Sequence, residues 1–554
     1  MNMSADIAPD ATARRPQREA TARLWSGLLL AVPVLLLLVP LALLLLDALI
    51  DTDSRAGDTA FPELSVRHFA DVLADPALRA AILNGVAACG GGTVVAVIIG
   101  FAFAWIVVRT DAPGKRFIAA AGLLPLLMPP LVAGIAWSMP AWPGLEAWVD
   151  LRSLSGIIIL FGFYHAPYVA LFTAAALWRM DPTLEDAAEL AGAGALRRVA
   201  TVTLPSILPM LLSTALLAFA VMLGNYGIPA ALGTPGHRSL PSTAIFALAA
   251  SPGHGHAAAA LAVMLAGVTA LLVLPQHRIL VAPEIRPRAG GAFRPRQVKP
   301  RAWQWLMPGL AALYLLLVLG LPLLGLLLAA QHDGWLQVRR LFQDPQAMSS
   351  IGTTLRLALV TAFAGTGLAL AIAYTLARTR VPGRWVIGLL ATLPLAVPGL
   401  VIGFAHDRTW IDLSPGSYGT VSILALAFVI RFLPIGIRAA SAALAVVHKD
   451  LEEAAWICGH PVPSAIRTIV LPLARPGLAA ALVLSCILTI RELGTALLLC
   501  SDGDRVMTVQ VLAMYERGDA GLAAVLSLVL MLLLGTLLGG AAWLLRVGAR
   551  PRRR

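Results

Sequence analysis

Leu24 to Leu46 read "LWSGLLLAVPVLLLLVPLALLLL", a run without a single charge. A helix needs about 20 such residues to cross the hydrocarbon of a bilayer. Similar runs recur along the whole 554-residue chain, so the chain reads as a polytopic membrane protein. Lipid offers no partner for backbone N–H and C=O groups, so spanning elements are helices or closed barrels. A barrel would show short alternating strands, and these runs are continuous. The fold expected is all-α.

Composition agrees. Hydrophobic residues make up 58% and charged residues 13%, whereas a soluble domain is about a quarter charged. Twelve spans are expected, at 25–49, 80–108, 117–139, 155–178, 206–231 and 256–276, then 305–329, 351–377, 385–405, 419–446, 474–499 and 519–546. This divides the chain into a tail 1–24, a module 25–276, a basic Pro- and Gly-rich linker 277–304, a module 305–546 and a basic tail 547–554. The first apolar run is too long for a signal peptide and is read as a retained helix.

The two modules are copies. "LPLLMPPLVAG" from Leu124 matches "LPLAVPGLVIG" from Leu393, and "TDAPGKR" from Thr110 matches "TRVPGRW" from Thr379. Both pairs are offset by 269 residues. Six spans per copy make the repeat parallel, related by an axis along the membrane normal.

The net charge of +12 is spread over loops and tails. That is the distribution of an orientation signal, not of a nucleic-acid surface. With both ends inside, Arg14, Arg15, Arg18, Arg23, Lys115, Arg116, Arg197, Arg198, Arg378, Arg380, Arg384 and the terminal arginines fall in the cytoplasm. Asp51, Asp53, Asp58, Glu63, Asp71 and Asp75 fall outside. The four cysteines form no CxxC and have no histidine at metal spacing, so they read as small membrane residues.

Two loops stand out. "LEDAAELAGAGALRRVATVTLP" covers Leu184 to Pro205, and "LEEAAWICGHPVPSAIRTIVLP" covers Leu451 to Pro472. The fixed points are Asp186, Ala187, Ala188, Gly192, Val202, Leu204 and Pro205, then Glu453, Ala454, Ala455, Gly459, Ile469, Leu471 and Pro472, with Glu185 and Glu452 just before. The pattern suits a short helix, a turn and a second helix. Acids favour a helix start, alanines favour helix and leave a thin face, and glycine lets the chain reverse. The proline is expected to open the next, spanning helix. One such loop is an ordinary polar connection. Two with identical spacing, on the same side of a duplicated membrane protein, indicate a function.

The pattern EAA-x3-G-x9-I-x-LP resembles the signature loop of permease subunits of binding-protein-dependent ABC importers. The resemblance covers nearly the whole chain as two fused modules and is closest in layout to permeases of the ferric-iron type; thiamine and aminoalkylphosphonate permeases are similar. "GNYGIPAALGTPG" from Gly224 and "IRELGTALLL" from Ile490 resemble the segments that follow the loop. Asp186 for Glu and Val202 for Ile are departures in the first copy. The resemblance implies a bacterial inner-membrane permease, not an enzyme, with both termini cytoplasmic. It implies one loop docked on each subunit of a cytoplasmic ATPase dimer, which carries the ATP and Mg, and a periplasmic solute-binding protein. No cofactor, metal or nucleic acid is expected on this chain. The cargo expected is a small solute, ferric iron first, with thiamine, aminoalkylphosphonate or polyamine as alternatives.

The chain has no GxxxxGK[ST] of its own, so energy comes from a partner or an ion gradient. A gradient-driven transporter with twelve helices in two parallel halves is the main rival. It would lack the paired loops. A membrane-embedded enzyme would need a nucleophile with its base, paired carboxylates or a metal cluster, and no such set is apparent.

Ionisable residues inside spans are costly unless paired or wet. Arg356, Arg431, Arg438, Arg491 and Glu492 are of this kind. The repeat aligns Asn225 with Glu492 and Tyr226 with Leu493, so Asn225, Tyr226, Arg491 and Glu492 are candidates for a path between the halves, or for structural bonds between helices. Arg438 reads equally well as an interfacial arginine. His254 and His256 lack neighbouring carboxylates in sequence and make a poor iron site. His165 and His406 read as structural.

Overall fold

The computed structural model describes residues 25–51, 63–139, 150–276, 304–331, 336–379, 381, 383–417, 419–501 and 503–548. The N-terminal tail, the linker up to residue 303, the last six residues, Asp53, Asp58 and Arg380 lie outside them. Apart from one two-residue ladder, Ile50–Asp51 against Glu63–Leu64, the described fold is helical.

Among the described residues, ten helices are long and apolar enough to cross a membrane. The first half has Trp25–Leu49, Pro76–Arg109, Leu154–Arg179, Ala195–Leu223 and Gly255–Gln276. The second has Leu306–Gln331, Pro345–Arg378, Val421–Ala445, Val462–Arg491 and Ala520–Ala542. Two apolar pairs bring the number to twelve if each pair counts as one span: Lys115–Leu127 with Pro130–Ser138, and Arg384–Ala396 with Gly399–Leu413. These are bent by 89° and 107°, so the spans expected at 117–139 and 385–405 are not straight. A proline denies helical backbone to the residue before it. Met128, before Pro129, takes ψ 117°, and Val397, before Pro398, takes ψ 126°.

The fifth spans also differ from expectation. They start at Ala195 and Val462, well before Pro205 and Pro472, which therefore lie inside the helices and do not open them. Val199–Thr203 and Ile466–Val470, just before each proline, widen into π-helical turns. A proline ring clashes with the carbonyl four residues back, and a wider turn moves that carbonyl aside. The same spans stop at Leu223 and Arg491, short of residues 231 and 499. Short helices Pro241–Ala249 and Met507–Glu516 then precede the last span of each half.

Small residues let the second and fourth spans of the first half touch along their backbones. A Cβ at Gly100 would fall 2.6 Å from Val169 Cβ and 2.7 Å from Ala166 O. The first span of each half packs on the last span of its own half and is also bonded to the opposite half. Trp25 Nε1 donates to Thr375 Oγ1 at 3.3 Å, and Leu36 O lies 2.9 Å from His406 Nε2. Reciprocally, Tyr164 Oη donates to Val318 O at 2.8 Å and Tyr314 Oη to Phe163 O at 2.7 Å. Each half thus completes the core of the other.

Candidate functional site

The two repeated loops have one backbone. Thr183–Leu190 and Lys449–Ile457 form the first helices. Gly192 and Gly459 end them, both with φ +83°. Around each glycine the closing bonds match: Gly192 N donates to Glu189 O at 2.8 Å and Ala193 N to Ala188 O at 2.9 Å, while Gly459 N donates to Trp456 O and His460 N to Ala455 O, both at 3.0 Å. This left-handed stop satisfies the free carbonyls of a helix end. The turn then leads into Ala195–Arg198 and Val462–Ala465.

The loops present apolar side chains in register. Leu190 is 90% exposed and its counterpart Ile457 87%; Leu184 and Leu451 are about half exposed. Asp186, Ala187, Glu453 and Ala454 are exposed beside them, Ala188 and Ala455 are half-buried, and Leu204 and Leu471 are partly exposed. Each loop thus carries a matched pair of exposed apolar side chains beside exposed polar ones.

The first acid of each pair points inward. Glu185 is 6% and Glu452 1% exposed. Arg109, the last residue of the second span, sets Nη1 at 2.9 Å from Glu185 Oε2 and is itself 2% exposed. Arg378, its repeat counterpart, places Nε 3.0 Å from Glu452 Oε1, and its Nη2 donates to Leu444 O and Val447 O at 3.2 and 2.5 Å. Each carboxylate also accepts from one hydroxyl: Thr203 Oγ1 for Glu185, at 2.5 Å, and Tyr374 Oη for Glu452, at 2.8 Å. At the repeat position of Thr203 stands Val470, and at that of Tyr374 stands Trp105. So the hydroxyl comes from the returning helix in one half and from the second span in the other. Both loops are clamped in this way to the end of a 34-residue helix. Sequence reasoning missed Arg109 and gave Arg378 only an orientation role. The available signal was their common offset of 269 residues, each directly before the repeated threonine.

The candidate path residues gather where the halves meet. Asn225 and Glu492 occupy equivalent breaks and do the same work. Asn225 Oδ1 accepts from Ile228 N at 3.3 Å, and Glu492 Oε1 from Thr495 N at 3.1 Å and Thr495 Oγ1 at 3.0 Å. Each caps the helical segment that follows. Their carbonyls are matched too: Ser242 Oγ donates to Asn225 O at 2.8 Å and Thr508 Oγ1 to Glu492 O at 2.7 Å. Tyr226 is buried, its ring 5.3 Å from that of Phe246.

Arg491 crosses between halves: its Nη1 donates to Leu126 O, at the corner of the first bent span. At the repeat position, Gly224 packs on the opposite corner, where a Cβ would lie 2.8 Å from Pro398 Cβ. Arg431 Nη1 donates to Pro394 O and Val397 O, at 3.1 and 2.7 Å, in that second corner. Carbonyls freed by the bends are thereby held by arginines. Arg356 and Arg438 are not part of this junction. Arg356 is exposed and bonds back to Gly352 O at 3.3 Å, and Arg438 is exposed.

On the face opposite the loops, His256 Nδ1–H is shared between Asp47 O at 2.8 Å and Asp47 Oδ1 at 2.9 Å, and its ring stacks on His68. His254 is exposed and bonds within its own turn to Pro252 O. His165 and His406 are buried against backbone carbonyls. Among the described residues no group of three or more His, Cys, Asp or Glu could hold a metal ion.

Two loops of matching backbone are thus anchored by buried ion pairs to equivalent spans of the two halves. Similarity to known proteins agrees. The ferric transport system permease protein FbpB of Actinobacillus pleuropneumoniae is 26% identical over 497 residues, 84% of this chain and 71% of that protein. The Fe(3+)-transport system permease protein FbpB 2 of Haemophilus influenzae is 26% identical over 80% of this chain and 85% of its own. The molybdenum transport system permease protein ModB of Escherichia coli (strain K12) is 31% identical over 35% of this chain and 89% of its own. Residues 92–279 and 365–542 each match one copy of the binding-protein-dependent transport system inner membrane component, and the chain belongs to that family as a two-module, multi-pass permease of an ABC importer.

Proposed function

We propose that this permease imports a small solute, ferric iron first, handed over by a periplasmic solute-binding protein. The energy comes from an ATPase dimer on the loop side, which binds the ATP and Mg; this chain holds neither. The loop face and both termini are cytoplasmic. The matched apolar patches carry the reading. Leu184 and Leu190 in one loop, Leu451 and Ile457 in the other, are offered outward at the same positions while Glu185 and Glu452 tie each loop to a span. A dimer with two equivalent clefts fits two equivalent loops. Motion received at a loop then passes through a buried ion pair to the second span. Ferric iron is favoured because the relatives matched over most of the chain are ferric permeases by name.

In this reading Glu185, Asp186, Ala187, Ala188, Gly192, Leu204 and Pro205, with Glu452, Glu453, Ala454, Ala455, Gly459, Leu471 and Pro472, form the two coupling loops. Asn225, Tyr226, Arg491 and Glu492 belong to the path or its gate, because they sit at the helix breaks where the halves meet. The test is co-purification of the ATPase and ATP hydrolysis stimulated by iron-loaded binding protein in liposomes. Gly192→Asp and Gly459→Asp each weaken recruitment, and together they abolish it while the spans still insert. Wild-type recruitment and coupling in the double variant would return the argument to a gradient-driven transporter. Glu492→Leu keeps recruitment but lowers uptake; normal uptake at equal abundance removes Glu492 from the path. A cysteine placed at Ala289, in the linker outside the described residues, is protected from an impermeant reagent in intact cells. Efficient labelling there reverses the orientation.

A further inference from the structure

Pro40 and Pro322 each stand inside a first span, just after a π-helical turn, Val34–Leu38 in one half and Leu316–Gly320 in the other. A proline has no N–H for the carbonyl four residues back. Those carbonyls are Leu36 O and Val318 O, and each takes a donor from the opposite half, His406 Nε2 and Tyr164 Oη. Leu306–Gln331 is thereby fixed by one face, on which Ala311, Tyr314 and Val318 are buried. A neighbouring face meets Phe117, near the start of the bent span Lys115–Leu127, and leaves a groove of about 370 Å³ between the two halves. Phe117, 43% exposed, forms one wall. The other is a stripe from Ala312 to Leu323 that includes Leu316, Leu319 and Gly320. Gly320, within the π-helical turn, puts no side chain into the space.

The groove has the length and depth of one leaflet. From Ala312 to Leu323 is about 16 Å at the usual rise, and half of a hydrocarbon core is about 15 Å. The stripe begins little more than a turn beyond Met307, whose Sδ lies 3.9 Å from Thr110 Oγ1. Thr110 directly follows Arg109, which holds Glu185 of the repeated loop. Trp305, 73% exposed, stands at the same end, where a bilayer places indole rings. Every lining side chain is apolar, so water finds no partner there.

The mouth is basic. Lys115 and Arg116 directly precede Phe117; Arg116 is exposed and Lys115 half-buried, and neither side chain has a hydrogen-bond or ion-pair partner among the described residues. The acid nearest in sequence, Asp111, is separated from them by the turn at Gly114, which has φ +73°. The first span of the other half has no such site. Aligned on the prolines and their π-helical turns, Leu38 stands where Gly320 does, and Val386 is the repeat counterpart of Phe117. Trp385 replaces Arg116, and Arg384, in place of Lys115, already donates to Thr379 O at 2.6 Å.

We propose that this groove is a binding site for one anionic phospholipid of the loop-side leaflet. An acyl chain lies along Ala312 to Leu323 against Phe117, and the headgroup phosphate meets Lys115 and Arg116. Basic pockets between spans select anionic headgroups in this way. The bound lipid bridges the halves, because one wall belongs to the first and the other to the second. It does so independently of what the permease carries.

The test is native mass spectrometry of the full chain, purified in mild detergent with equal amounts of phosphatidylglycerol and phosphatidylcholine. One phosphatidylglycerol is expected to be retained, with a preference of about ten-fold over phosphatidylcholine, as two basic side chains at a membrane surface provide. Lys115→Gln with Arg116→Gln abolishes the preference, and Arg384→Gln leaves it unchanged. Gly320→Leu, which installs the residue of the first half, fills the groove and retains neither lipid. The paired glutamine variant alters only the mouth of the groove and decides the matter even where Gly320→Leu does not fold. Equal retention of the two lipids by the wild-type chain overturns the proposal, and so does a preference that survives loss of Lys115 and Arg116, which locates the headgroup elsewhere. A folded Gly320→Leu chain that keeps its phosphatidylglycerol overturns it too, as does a wild-type chain that holds no lipid and pairs with a second copy instead.

Discussion

Glu452 and its neighbour Glu453 are chemically identical and differ only in which way they face. Glu453 is exposed and Glu452 is buried against Arg378 and Tyr374. The spacing of the loop motif is legible in the sequence, and so is the turn at each glycine. What could not be read is which acid faces the protein, because the partner arginine lies far back in the chain, 76 residues away in the first copy. Removing one partner of a buried pair costs about 3–5 kcal/mol, since the other charge is left unpaired. Arg378→Leu is therefore expected to lower the thermal midpoint of the purified chain sharply. Glu452→Gln keeps an acceptor for Tyr374, while Arg378 keeps two carbonyls, so its cost is about 1–3 kcal/mol. The double variant Arg378→Met with Glu452→Leu is near neutral in stability but loses coupling if the pair transmits loop motion. Thermal unfolding followed by tryptophan fluorescence, beside ATP-driven uptake, separates the two effects. At Gly459 a Cβ would meet nothing within 4 Å, and only the φ of +83° resists substitution. Gly459→Ala is expected to cost about 1 kcal/mol and Gly459→Asn less, because asparagine tolerates left-handed backbone.

Hydropathy finds the twelve apolar stretches and the repeat offset pairs them, but neither finds the bends. A window average does not register one extended residue, and one is enough at Met128 and at Val397 to turn a span by about a right angle. The prolines that cause it stand in the repeated motifs "LPLLMPPLVAG" and "LPLAVPGLVIG". In a sequence they read equally as ordinary prolines of membrane helices, like Pro167 and Pro434, which their helices absorb without a break. Tertiary contact separates the two cases. The half-span after Pro398 lies so close to the Gly494–Leu499 helix that a Cβ at Gly403 would sit 2.5 Å from Thr495 O. The half-span after Pro129 does the same with the segment after Asn225, where a Cβ at Gly227 would sit 2.5 Å from Leu131 N. A backbone atom cannot rotate aside as a side chain can. Gly403→Ala is expected to destabilise by about 1–3 kcal/mol through overpacking and to disturb the Glu492 cap on Thr495. Gly365→Ala, where a Cβ meets nothing, is the control and is expected to leave the midpoint unchanged. Equal midpoints for the two would show that the half-span can shift freely.

Duplication visible in a sequence invites the picture of two self-contained six-helix units, and the packing departs from it. Trp25–Leu49 is bonded to the second half through Thr375, His406 and Arg408, the last by an ion pair of Arg408 Nε with Asp47 Oδ2 at 3.3 Å. Leu306–Gln331 is bonded to the first half through Tyr164 and Phe163, and the ring of Tyr314 lies 5.0 Å from that of Phe103. Arg491 and Tyr515 add bonds from the second half to Leu126 and Ala231 of the first. An isolated half would therefore expose the faces that receive the other's first span, together with buried hydroxyls and carbonyls stripped of their partners. Unpaired polar groups in lipid cost several kcal/mol each. Two halves expressed together would regain every one of these contacts without the peptide link between them. We expect residues 1–290 or 291–554, each expressed alone, to be degraded or aggregated. The same two pieces, co-expressed with a tag on one, are expected to co-purify in equal amounts and to restore uptake. The cut falls in the linker, outside the described residues, so no described contact is severed. Asp47→Ala, which removes the carboxylate that pairs with Arg408 of the second half while the carbonyl of residue 47 still accepts from His256, is expected to weaken this reassembly more than it weakens the intact chain, where the linker keeps the halves at high effective concentration. If either half alone accumulates as a monodisperse, folded species, the reciprocal exchange of first spans does not hold the molecule together.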